Sequence, residues 1–201
     1  MDRETRSRKI EKHRAEIARL EAEQAAENSA SNRQPSGFYL TWHVMIGLVL
    51  GALAAAVSLA ANFLGAPLFG RRALDLIRTY LTFPMGERAL ALDSATVLTI
   101  GCALYLVTGA LLGILFHLVL VTYFESASPG RRFLVSTVLG LALWVGSFYL
   151  VLSWLQPMLL GGNWIVAGVP WWVGMSTHLA FAWTMAAAES WGHFEDPRRE
   201  A

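Results

Sequence analysis

No Asp, Glu, Lys or Arg interrupts four long apolar stretches of this chain, at residues 39–63, 95–121, 133–155 and 169–188. A soluble domain spreads charge along its helices. Here a full hydrocarbon-length run goes without it, four times over. About 20 mainly apolar residues cross a bilayer core roughly 30 Å thick, and a central ion costs ~2.5–3.5 kcal/mol on insertion scales. The pattern predicts an all-α integral membrane protein built as a four-transmembrane-helix bundle, seated in the inner (plasma) membrane.

Other absences narrow the function. Cys102 is the only cysteine, which excludes an internal disulfide and a Cys-rich metal site and leaves a small packing residue within the second span. A net charge of +1 supplies no broad basic field, so nucleic acid is not an expected partner. There is no Walker loop, dinucleotide fingerprint, Gly-x-Ser-x-Gly elbow or His-Glu-x-x-His helix. Enzymatic activity is therefore not expected, and neither is a catalytic residue. The first span follows 38 mostly polar residues and exceeds a signal-peptide h-region, so a retained anchor is expected.

The charge that is present lies outside the spans. Residues 1–37 are polar, with a helix expected over 3–27, where Ile10, His13, Ile17 and Leu20 recur at a/d-like spacing. Two heptads are too few for a coiled coil, so the expectation is a solvated cytoplasmic helix followed by a linker at 28–37. Basic residues set the orientation. With the N-terminus inside, the polar arm, Arg131, Arg132, Arg198 and Arg199 are cytoplasmic, and only Arg71, Arg72, Arg78 and Arg88 lie outside. Residues 38–190 form the membrane domain and 191–201 a cytoplasmic tail.

Between the first two spans, residues 66–93 are too long for a turn. Leu74, Ile77 and Leu81 share a helical face, with Pro67 and Pro84 at its borders. An external amphipathic segment is expected, lying in the interface or covering a partner subunit. Trp154, Trp164, Trp171 and Trp172 mark a membrane boundary near the last turn, and Trp42 and Trp191 mark the other.

Small residues form stripes within the spans. Gly47 and Gly51 in the first, Gly109 and Gly113 in the second, and Ser176, Ala180 and Thr184 in the fourth are expected helix-packing positions. His43 extends the first glycine stripe and His117 the second. In antiparallel spans both fall near the cytoplasmic end, ~10 and ~13 Å from the midplane at 1.5 Å per residue. Such a pair can serve as axial ligands of a b-type haem, or simply hydrogen-bond across the helix interface. His178, in the middle of the fourth span, either faces outward to a partner or faces inward to Ser147, Thr108 or Tyr105. Glu125 and Glu189 are expected to be solvated at span ends.

These features favour a non-enzymatic accessory or assembly subunit of a larger membrane complex, with electron-transfer complexes in that class. Its partners are then the lipid bilayer and other membrane subunits, or copies of itself. A bis-histidine haem carrier is the alternative. A small transporter or channel is third, since no charged residue lines a span.

Overall fold

A computed structural model describes residues 3–31, 36–124 and 127–192, and all their regular structure is helical. Glu125, Ser126 and residues 193–201 lie outside the described residues. Two compact units separate at residue 41. The first contains α1 (Arg3–Ser31) and the opening of α2 (Ser36–Gly65). Along α1, His13, Ile17 and Leu20 are exposed, and Arg19 pairs with Glu23 one turn on. The helix continues four residues past the expected 3–27.

The second unit is a helical bundle. A 3₁₀ turn (Ala66–Phe69) leads to α3 (Asp75–Met85), a second 3₁₀ turn (Gly86–Ala91) and α4 (Ala95–Tyr123). Then come α5 (Pro129–Val145), a π-helical turn (Gly146–Leu152) and α6 (Ser153–Leu160), which run on as one rod. A short α7 (Trp164–Gly168) and α8 (Trp171–Gly192) complete it. Three helices are long and apolar enough to cross a membrane: Leu40–Phe69, Ala95–Tyr123 and Pro129–Leu160. The described residues are accordingly all-helical, and three of their helices have the length and composition to cross a membrane. The fourth expected stretch falls in α8, where His178, several Trp and hydroxyl side chains lower the hydropathy.

α2 and α4 meet backbone to backbone. A Cβ added to Gly47 would sit 2.6 Å from Ile114 Cα, and one on Gly51 would sit 2.7 Å from Gly113 Cα. A Cβ on Gly109 would meet Ala55. As the α2 partner advances the α4 partner recedes, so the helices are antiparallel. Small residues permit this approach where lipid offers no hydrophobic drive.

α5 packs on α8 by the same device, with Gly140 against Ala182 and the His178 carbonyl. Gly101 of α4 receives Ile77 and Leu81 of α3. These two leucine-type side chains are buried with Ala89 and Leu98, and Cys102 packs beside them. Ile77 and Leu81 of the 66–93 segment are thus covered by this chain itself, because the missing side chain of Gly101 opens a seat for α3. Leu68, Phe69 and Met85 of the same segment stay exposed.

Arg78 is buried on α3 as well. Its guanidinium donates to the Leu92 carbonyl at 2.7 Å and to Asp93 at 3.0 Å. Gln156, with no exposure, ties α6 to α3 and α7. Its amide donates to Thr82 Oγ1 at 2.9 Å and its oxygen accepts the Ile165 N–H at 2.9 Å.

A buried Glu–His–His chain

The glycine seam ends in the two histidines. Continuing its register by one turn brings His43 Nδ1 to 3.1 Å from His117 Nε2, with ring centroids 5.3 Å apart. His117 is fully buried. Its other nitrogen, Nδ1, hydrogen-bonds Glu189 Oε1 of α8. Glu189 is itself only 5 % exposed, so it is not the solvated end residue its position suggests.

Three helices therefore supply one chain of groups. α2 brings His43 through the Gly47–Gly51 stripe. α4 brings His117 through Gly113. α8 brings Glu189 on a buried stripe of Gly174, Thr177, Phe181 and Met185, whose Phe181 packs edge-on to Phe116. Chemistry orders the protons. A buried carboxylate requires a donor, which places a proton on His117 Nδ1. Neutral imidazole then has a free lone pair on Nε2, which accepts from the Nδ1–H of His43.

This geometry does not fit a haem. Two axial imidazoles stand on opposite faces of a wide ring with the iron between them, so at metal–imidazole distances like the ~2.0–2.1 Å of zinc their nitrogens are ~4 Å apart. Here the nitrogens share a hydrogen bond, and backbone contact along the glycines leaves no slot for a porphyrin. A metal is no better served. The two nitrogens of His117 point to different partners, so the three side chains do not converge on one point. Among the described residues no group of three His, Cys, Asp or Glu can hold a metal ion.

The remaining candidate residues separate from this site. Ser176 is exposed, and Ala180 and Thr184 are half-buried beside the packed stripe. Phe181 packs on Phe116 of α4 and Met185 is fully buried, so the small-residue row lies beside the packed stripe rather than within it. His178 faces Ser147, whose hydroxyl lies 3.2 Å from Nε2, while Nδ1–H donates to the Gly174 carbonyl at 2.8 Å. Thr108 instead bonds Tyr80, and Tyr105 bonds Ser58. Glu189 continues the Phe181–Met185 spacing by one further turn, but nothing in the sequence of α8 alone marks that face as the buried one.

Comparison with protein-family models, curated proteins and solved structures finds no match to this chain.

Proposed function

We propose that this chain is a four-span membrane subunit with both ends cytoplasmic, which brings a buried proton-exchanging site to a larger membrane complex. In this reading α8 is the fourth span. Its 22 residues extend ~33 Å at 1.5 Å each, and its His178 and Glu189 are turned to neighbouring helices. The single observation behind the proton-exchanging role is His117, buried with both ring nitrogens engaged, one by a carboxylate and one by a second imidazole.

An imidazole so placed can take a proton on one nitrogen and release one from the other. A proton taken at His43 Nε2 leaves that ring cationic. Its Nδ1 proton passes to His117 Nε2, and the Nδ1 proton of His117 moves to Glu189. Intramembrane ionisable groups arranged in this way mark proton paths in many membrane proteins.

The chain of groups occupies only one end of the bundle. His43 lies near the start of α2, His117 near the end of α4 and Glu189 near the end of α8. A path across the membrane would need a second chain to continue it, which favours a subunit over a self-sufficient channel. The same observation supplies the intramembrane acid that a transporter reading would require.

The test uses purified chain in lipid vesicles. Infrared difference spectra recorded on proton uptake should show a carboxyl band that Glu189→Gln removes. An internal pH dye should report no proton flux under an imposed potential. Flux abolished by Glu189→Gln would make the chain a channel in its own right. A carboxyl band unaltered by that variant would reduce the site to packing, and a Soret band in the visible spectrum would return the haem reading.

A further inference from the structure

A cavity of about 180 Å³ opens at the opposite end of the bundle, between the last turn of α2, the start of α3 and the start of α8. Its walls are largely apolar. Phe69 and Trp172 form one side, with ring centroids 4.8 Å apart. Leu76, Val169 and Val173 add to the lining, while Asn62, Thr79, Ser176 and Thr177 are its neutral polar groups and Arg71 and Asp75 its charged ones.

The charges there are unequal in their commitments. Asp75 accepts the Arg72 guanidinium at 2.8 Å and the Arg78 guanidinium at 3.3 Å, so its charge is answered within α3 and its approach. Arg72 and Arg78 also reach Asp93. Arg71 has no carboxylate partner among the described residues. Its guanidinium makes a long 3.3 Å bond to the Gly168 carbonyl. Three arginines and two aspartates leave one positive charge, and that charge is on the arginine lining the cavity.

We infer that this cavity binds an amphiphile with an anionic head, its head paired to Arg71 and its first methylenes between Phe69 and Trp172. Guanidinium presents a rigid fork matched to carboxylate and phosphate oxygens. An apolar cavity of ~150 Å³ holds benzene, so this one admits the head-proximal part of a chain, and the remaining tail extends along the helix surface. The head–chain chemistry is that of an acidic phospholipid or of a free fatty acid, and the experiment separates the two.

Full-length protein in mild detergent is exchanged with phosphatidylglycerol, phosphatidylcholine or dodecanoate, and bound molecules are counted by native mass spectrometry. One phosphatidylglycerol per chain is expected, retained at least tenfold better than phosphatidylcholine. Arg71→Gln should remove that preference, Arg71→Lys should keep most of it, and Arg72→Gln should leave it intact. Dodecanoate retained in place of phospholipid, with the same Arg71 dependence, supports the site and identifies a free acid as its source. Equal retention of both phospholipids, or retention indifferent to Arg71→Gln in protein of unchanged melting temperature, overturns it.

Discussion

The two ends of the bundle handle carboxylates in opposite ways. At one end Glu189 is buried and meets an imidazole that leads to a second imidazole. At the other, Asp75 and Asp93 meet the guanidinium groups of Arg72 and Arg78. Guanidinium keeps its charge at any pH a protein meets, whereas imidazole changes charge within the physiological range. The arginine end is therefore electrostatically fixed, and the histidine end depends on how many protons it holds. Burial sharpens the contrast, since His117 has no exposure while the Asp93 side chain is 78 % exposed.

The comparison breaks most severely at the glycine seam that delivers the histidines. Gly113→Leu would drive a side chain into the Gly51 backbone, and overpacking that neither backbone can relieve costs ~3 kcal/mol or more. Loss of monodisperse protein on size exclusion in detergent is the expected result, with Gly130→Leu, where nothing lies within 4 Å, as the tolerated control. Next in size is His117→Ala, which leaves Glu189 buried without its donor and opens a cavity. A loss of ~2–4 kcal/mol is expected by thermal unfolding.

Glu189→Gln should cost less, ~1–2 kcal/mol, because the amide oxygen can still accept from His117 Nδ1. Thermal unfolding of this variant beside His117→Ala checks that order.

Two substitutions grade the fixed end. Arg78→Ala removes a buried group that satisfies the Leu92 carbonyl and Asp93, for ~1–3 kcal/mol. Arg72→Ala removes a side chain that is 56 % exposed, and exposed pairs contribute ~0–1 kcal/mol. Equal effects from the two would mean that burial does not separate them.

Much of the fold was legible because a bilayer imposes a length and a composition that no soluble helix requires. The spans expected at 95–121 and 133–155 lie within α4 and the α5–α6 rod. The pairing of His43 with His117 was legible too, since each sits one turn beyond a glycine pair. Glu189 was not, because acidic residues at span ends are usually solvated, and the facing direction of α8 decides its fate. That direction goes with Phe181 packing on Phe116 of α4 and with the burial of Met185, which the sequence of α8 alone does not fix. The burial of α3 was hidden similarly. Its amphipathic face was evident, but whether lipid or Gly101 receives it is decided by a helix twenty residues further on. Arg71 was one of four arginines placed outside, and only the structure shows that the two aspartates take its neighbours Arg72 and Arg78.

The π-helical turn at Gly146–Leu152 has a consequence best put as an angle. Each residue of an α-helix advances the chain by about 100°, so one extra residue in a turn rephases everything that follows by nearly that amount. Before the turn, Gly140 points at α8; after it, Gln156 points at α3. One rod thus addresses two neighbours in two directions. Deleting a single residue from the turn would restore regular α-helix and swing Gln156 away from Thr82, so the irregularity works as a clocking device that sets where the far half of the rod faces.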